Sequence, residues 1–581
     1  MNGDARDKRR PAGHSHPAPL PAVVYEREPG AATAPLPPAV TGTYKRRQPE
    51  LTALHAIVRD NLETFLEEGQ RASSDGSGYP RFVAQEFRKY LACGDLSQGF
   101  ARLRCPSCGT ERFVGFSCKG RLCPSCWSRR GADLASDLVD RVLPIVPYRQ
   151  YVLSFPWSLR FPLAMEHGFF TKMLRAFLQS VFTWQRKRGR RLGIKNGQTG
   201  AISFLQRATG ALTLYPHTHT LVPDGLFVPG DDPEGKMRFV VLPKPTDEEI
   251  LDLTTRVVRR LIKVAKKHKE ERGEEDPFAE PEEQLLRSCV AEALRSPTPP
   301  PPQRTATLVP NKPLTARLDD FSLHAGRCVP AFSRPELERL CSYGLRPPFS
   351  AERFSLMDDG TVRHQLAKPT ASGHTELRLE PLALLRRLTA ILPTPFARLV
   401  RSHGVFSPRS RFRHRLPRPF NDEVPEFIKP DGSPLLQEYP TEQPEQEPKP
   451  GENPTDAAES KPGENPTDAA ENKPGENPSA QATLPPRRKA LWAQLLRRVL
   501  HVDGLECPKC ATSMVVLAFI TDRDVVTKIL KHLNLDTTPP PIAPAHEPYE
   551  EVYDEVAQES PGDDFSQDEF PDEDLPTDRG P

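Results

Sequence analysis

Apolar residues recur every three or four positions in several stretches of this chain and alternate in others. His55, Val58, Leu62, Phe65 and Leu66 share one helical face, and Arg81–Ala92 and Asp133–Leu143 predict further helices. Tyr148–Phe155 reads as a strand. Glu166–Arg191 predicts a long amphipathic helix with Phe169, Phe170, Met173, Phe177, Leu178, Val181 and Trp184 on its apolar side. That helix runs into a basic end of Arg186, Lys187, Arg188, Arg190 and Arg191. Ala201–Leu205 and Leu212–Val222 predict strands, and Glu248–Lys269 predicts a basic helix. A folded pattern returns over 315–400, and Lys489–Leu535 reads as a small separate module.

Composition changes the picture at the edges. Proline supplies 66 of 581 residues, about twice the usual ~5%, and only 37% of residues are hydrophobic. The pattern predicts a disordered arm over 1–48, a proline-rich insertion over 270–310, a linker over 421–488 and a disordered acidic tail over 536–581. Within the linker, Lys-Pro-Gly-Glu-Asn-Pro begins at Lys449, Lys461 and Lys473, a repeat too poor in apolar residues to stack. The apolar run Val515–Ile520 falls far short of the ~18 residues that cross a bilayer, so no membrane partner and a cytoplasmic location are expected. Net charge is only +2, but it is unevenly distributed. Arg81–Val240 holds 24 basic and 11 acidic residues, whereas Pro541–Pro581 holds 1 and 14. A basic body with an acidic tail points to a polyanionic partner.

Three constellations carry candidate chemistry. Cys105-Pro-Ser-Cys108 and Cys123-Pro-Ser-Cys126 form two knuckles, whose spacing predicts one structural zinc held by four thiolates, with Cys118 as a substitute ligand and Cys93 spare. Arg121, Arg129 and Arg130 near this cluster, with Arg186, Lys187 and Arg188, are candidate DNA contacts. Cys507 and Cys510 make half a metal site. In the strand around Pro216-His217-Thr218-His219, both imidazoles point the same way and can share a metal. Arg334–Tyr343 predicts a helix with a Ser333/Glu336 capping box and a stop at Gly344, Pro347 and Pro348. Leu337, Leu340 and Cys341 form its buried stripe, and Tyr343 stands at the border. Taken alone, a spaced histidine pair and a half-buried tyrosine are ordinary core residues. The segment Gly230–Lys236 has phosphate-loop spacing, but Met237 replaces the magnesium-binding hydroxyl and three carboxylates crowd the loop, which excludes it as a nucleotide site.

These residues, in order, resemble the rolling-circle transposases of the insertion-sequence 91 type, common-region relatives with a single tyrosine included. The resemblance runs from Phe82 through Phe116-Ser-Cys-Lys-Gly-Arg121 to Cys126, then Tyr151-Val-Leu-Ser-Phe-Pro156 and Phe204-Leu-Gln-Arg207. It continues through His217-Thr-His-Thr-Leu-Val-Pro-Asp-Gly225, Cys341-Ser-Tyr-Gly-Leu-Arg-Pro-Pro348, Glu352-Arg-Phe-Ser355, Arg401-Ser-His-Gly-Val405 and the module around Cys507-Pro-Lys-Cys510. It implies an α+β, HUH endonuclease-like fold: an antiparallel sheet with flanking helices over 144–420, preceded by a helical zinc-binding module over 49–143 and followed, after the linker, by the module over 489–535. It also implies that His217 and His219 bind catalytic Mg2+ or Mn2+, with Gln206 or Asp224 as third ligand. Tyr343 would then cut single-stranded or hairpin DNA at element ends through a 5′-phosphotyrosine, helped by Arg346. Thr218 departs from the usual bulky apolar residue. A single tyrosine in the helix would have to act twice or be joined by a second subunit's. The competing expectations are a zinc-bearing DNA-binding protein without catalysis, a degenerate transposase among them, and a nuclease that activates water at the histidines.

Overall fold

The computed structural model describes residues 48–230, 235–272, 281–294, 305–369, 373–395, 397–419, 424–428 and 502–547, with isolated positions at 42–43 and between 493 and 498. The expected N-terminal arm, nearly all of the repeat-bearing linker, the run Pro299–Pro302 and the distal tail lie outside the described residues. No described helix is long and apolar enough to cross a membrane.

The chain opens with Ala53–Ala72 (α1) and Arg81–Leu91 (α2). The Thr52 side chain accepts from the His55 backbone N–H and so caps α1. Leu54, Ile57, Val58, Leu62 and Phe65 of α1 are buried with Val83, Phe87 and Tyr90 of α2. Phe100–Arg104 (β1) and Glu111–Gly115 (β2) form an antiparallel hairpin. The next helix, Pro124–Asp137 (α3), begins well before the expected Asp133 and ends in a wider π-type turn over Leu138–Val142. Its early start has a local cause: Cys123 is the N-cap and Pro124 occupies the first turn, where a missing N–H costs nothing.

Tyr148–Ser154 (β3) leads through Trp157–Met165 (α4) and His167–Arg191 (α5) to Gly200–Ala208 (β4) and Leu214–Pro223 (β5). Gly225–Pro229 (β6) and Met237–Val241 (β7) make a side hairpin before Asp247–Arg272 (α6). Pro281–Ala293 (α7) lies inside the expected insertion yet is helical. Its Cys289, Val290 and Ala293 join the core around α1 and α2, and the Leu294 carbonyl accepts from Trp157 Nε1 at 2.9 Å. Then come Thr307–Leu308 (β8), Thr315–Leu318 (β9), Phe321–His324 (β10), Cys328–Val329 (β11) and Arg334–Gly344 (α8). Phe354–Leu356 (β12), Val362–Gln365 (β13) and Glu376–Leu379 (β14) form a small sheet, followed by Pro381–Ile391 (α9) and Val400–Gly404 (β15).

The main sheet runs β15-β4-β5-β3-β10-β9-β8, with β11 also paired to β3, and every pairing is antiparallel. Its register sorts the side chains of β5 onto two faces. Thr218 stands opposite Leu153 and Leu205 on the side covered by α5 and α6, while His217 and His219 stand opposite Ser154/Gln206 and Val152/Phe204 on the α8 side.

After the linker, Val515–Ile520 (β16) adds to the free edge of β1, and Arg523–His532 (α10) packs Val526 and Leu530 on Leu96 and Phe100. The C-terminal module is therefore continuous with the N-terminal one. The start of the expected tail is ordered too: Ala543 N–H donates to the Arg59 carbonyl (3.1 Å) and His546 N–H to Thr64 Oγ1 (3.0 Å), both on α1.

Thr218 is fully buried between two leucines, and its Oγ1 has no hydrogen-bond partner. An unsatisfied buried hydroxyl costs on the order of 1–3 kcal/mol. Thr218→Val should therefore raise the unfolding midpoint in urea, by about 1 kcal/mol of stability. A lowered midpoint would show that the hydroxyl contributes favourably.

Candidate active site and cysteine clusters

His217 and His219 lie at the middle of the sheet, 1% and 0% exposed, with ring centroids 5.0 Å apart. Each ring is oriented from its Nδ1 side. His217 Nδ1 donates to the Tyr215 carbonyl at 2.7 Å, which leaves the lone pair on Nε2. Gln150 Nε2 donates to His219 Nδ1 at 3.1 Å. A half-turn of that amide presents its oxygen to an Nδ1–H instead, the tautomer in which His219 Nε2 can ligate a metal. His219 Nε2 is buried with no hydrogen-bond partner. Burial lowers both histidines, His217 to about 4 and His219 well below its usual range, and Arg346 adds to the effect on each. Both imidazoles are thus neutral near pH 7, the form a metal requires, so the pair fits a divalent cation.

Tyr343 reaches this pair from α8. The expected capping box is not formed: the Ser333 side chain makes no cap hydrogen bond, and Glu336 pairs with Arg327 at 2.8 Å instead. Tertiary contacts hold the other end of the helix. A Cβ on Gly344 would stand 2.7 Å from the Phe204 ring, so only glycine lets α8 press on β4. Gln206 Nε2 donates to the Tyr343 carbonyl (2.8 Å), and Trp127 Nε1 of α3 donates to the Leu345 carbonyl (2.9 Å). The Tyr343 ring stands edge-on to His219, centroids 5.5 Å apart and planes at 80°, with the Arg346 guanidinium 4.2 Å over its face.

The cysteines form two groups of four, each with its sulfurs within 4.8 Å of one another. Cys93, Cys118, Cys123 and Cys126 make one, and Cys105, Cys108, Cys507 and Cys510 make the other. This corrects the expected quartet of Cys105, Cys108, Cys123 and Cys126. Cys105 and Cys108 sit at the turn of the β1/β2 hairpin, and Cys93 and Cys118 lie beyond its open end. Five residues of extended strand separate the two places by about 16 Å. In the first group Cys93 stands 3.5 Å from Cys126 and 3.6 Å from Cys123, and Cys118 is 3.5 Å from Cys126. Four sulfurs at ~2.3 Å around one zinc lie ~3.8 Å apart, so this group fits the ion.

Two family models match the chain: one described as a transposase zinc-binding domain, of the insertion-sequence 91 type, over residues 57–155, and one described as "Putative transposase" over residues 200–413. The chain belongs to the insertion-sequence 91 transposase family. No curated protein and no solved structure matches it. The first match spans Cys93, Cys118, Cys123 and Cys126, and structural zinc in this transposase rests on it together with the thiol groups. The second spans both histidines and Tyr343.

Both expected third ligands make other contacts as well. The Gln206 amide nitrogen is committed to the Tyr343 carbonyl. Asp224 pairs with the buried Arg149, Nε to Oδ1 at 3.0 Å, because that guanidinium needs a counter-charge. Among the described residues, no group of three His, Cys, Asp or Glu ligand atoms includes the histidine pair. Several expected DNA contacts have structural work in this transposase. Arg121 donates to the Thr394 carbonyl (2.6 Å), Arg130 to the Lys119 carbonyl (2.6 Å), and Arg188 is buried on Trp184 with Glu249 beside it. Arg129, Arg130, Arg186, Lys187 and Arg346 are exposed. Sequence reasoning passed over Gln150, and it passed over Arg160, whose guanidinium lies 4.0 Å over the Tyr215 ring near His217. The strand alternation that pairs the histidines also places Gln150 on their face, and this was the available signal.

Cys93→Ala should remove one zinc equivalent from the purified transposase and lower its melting temperature, as read by metal analysis and thermal melting. Unchanged zinc content would return Cys93 to the role of spare thiol.

Proposed function

We propose that this transposase nicks and rejoins single-stranded or hairpin DNA through Tyr343, with a covalent 5′-phosphotyrosine intermediate, on an HUH endonuclease-like sheet. The observation that carries this reading is the edge-on approach of the Tyr343 ring to His219, beside an imidazole partner on the same strand face. The central antiparallel sheet with helices on both faces supports the same reading.

Phosphodiester hydrolysis without a catalyst is extremely slow, so the site must neutralise the phosphate and supply a nucleophile. His217 and His219 would hold Mg2+ or Mn2+, whose charge would polarise the scissile phosphate. Tyr343 Oη attacks phosphorus, its proton is lost, the P–O3′ bond breaks, and the departing oxygen takes up a proton to become a 3′-hydroxyl. The Arg346 guanidinium, over the tyrosine ring, stabilises phenolate character as the attack proceeds. Rejoining reverses the exchange: a 3′-hydroxyl attacks the phosphotyrosine and releases the phenol, with no nucleotide triphosphate required. α8 carries one tyrosine, so a complete strand transfer uses Tyr343 twice or draws on a second subunit. Exposed Arg129, Arg186, Lys187 and Arg346 would bind phosphates along the approaching strand.

Incubation with labelled single-stranded DNA and manganese should yield a denaturation-resistant protein–DNA band. Tyr343→Phe should abolish that band while single-strand affinity stays within about twofold. DNA cutting that survives the substitution would favour water activation at the histidines, and binding without any adduct in the parent protein would favour a non-catalytic role.

A further inference from the structure

The second thiol group joins residues that no local motif unites. Cys105 and Cys510 are 405 positions apart, yet their sulfurs stand 3.4 Å from each other. Cys108 lies 3.5 Å from both Cys507 and Cys510. The two half-sites are built alike. Cys105-Pro-Ser-Cys108-Gly109-Thr110 and Cys507-Pro-Lys-Cys510-Ala511-Thr512 share a pattern that Cys123-Pro-Ser-Cys126-Trp127 lacks. In the first, Cys105 N–H donates to the Thr110 carbonyl (2.8 Å) and Gly109 N–H to the Cys105 carbonyl (3.0 Å). In the second, Cys507 N–H donates to the Thr512 carbonyl (2.9 Å) and Ala511 N–H to the Cys507 carbonyl (2.9 Å). The fifth residue is left-handed in both, Gly109 at φ 71° and Ala511 at φ 56°. For alanine that conformation is unfavourable, a cost that a turn needs to recover from something it holds.

We propose that Cys105, Cys108, Cys507 and Cys510 form a second structural zinc centre, and that this ion clasps the C-terminal module onto the N-terminal one. The separations suit four thiolates around one ion, as in the first group. The surroundings explain why a clasp is needed. β16 pairs with β1, and Arg112 donates to the Gly504 and Glu506 carbonyls (2.9 and 3.0 Å). The apolar support is two small clusters: Leu103 and Met514 around the thiols with Ala101, Val114 and Leu505 half-buried beside them, and Val526 and Leu530 against Leu96 and Phe100 with Phe113, Ile520 and Ile529 half-buried at the edge. Val515, Val516, Leu517 and Phe519 of β16 are all exposed. A core of this size does not hold a module unaided, and a metal–thiolate centre supplies the difference. Cys510 is exposed and Cys108 half-buried, whereas three of the four thiols of the first group are buried, so a chelator reaches the clasp first.

The inference is independent of the nuclease reading and is tested by metal content and module release. The full-length protein should carry two zinc ions per chain. The double variant Cys507→Ser/Cys510→Ser should carry one, retain the helical content of the parent, and become cleavable by trypsin between the linker and residue 502. Cys510→His, which keeps a zinc ligand, should restore the second ion and the protection. Cys93→Ala should lose the other ion and leave residues 502–547 protected. One zinc per chain in the parent protein, or two in the double serine variant, would overturn the proposal.

Discussion

The absent side chain at Gly344 governs the geometry of the candidate active site. The C-terminal turn of α8 can lie on the Phe204 ring only where no Cβ projects, and that contact brings the preceding residue, Tyr343, edge-on to His219. Hydrogen bonds then fix the position. The Gln206 amide takes the Tyr343 carbonyl, and the Trp127 indole takes the Leu345 carbonyl just beyond the helix. The Gln206 donor adds to the Leu345 and Arg346 backbone N–H groups that also reach the Tyr343 carbonyl at the helix end. The phenol is thus held by backbone contacts that do not involve its hydroxyl.

Trp127 links this site to the cysteines. It belongs to the first turn of α3, whose N-terminus is formed by Cys123 and Cys126 of the buried thiol group. Gly131, one turn further along α3, lies against Leu345, where an added Cβ would come within 3.0 Å of the carbonyl oxygen. The zinc-binding module is therefore a bracing element for the end of α8 as well as a separate fold. Loosening the thiol group would shift α3 and, through it, the residue that faces the histidines.

Electrostatics at the site work in one direction. Burial keeps both imidazoles neutral, and the positive charge of Arg346 works the same way on each, joined at His217 by that of Arg160. The carboxylate that sequence order placed nearby, Asp224, is consumed by Arg149 instead.

Local pattern was enough to predict the strands that carry the histidines, the α8 helix and the long α5 helix, because apolar period and strand alternation depend only on neighbours along the chain. It paired His217 with His219 for the same reason. It misjudged features that distant contacts decide, the start of α3 and the capping of α8, and it did not show the helix at 281–293. The largest error concerned the thiols. Two knuckles close in sequence looked like one site, yet a rigid hairpin separates them, and each is completed by cysteines outside the pair. The likeness of the 105–110 and 507–512 segments was legible in the residues, but their meeting was not. Spacing determines which atoms a short turn can present, whereas only the packed chain, with β16 laid along β1 and Gly344 pressed on Phe204, decides which of those atoms come together.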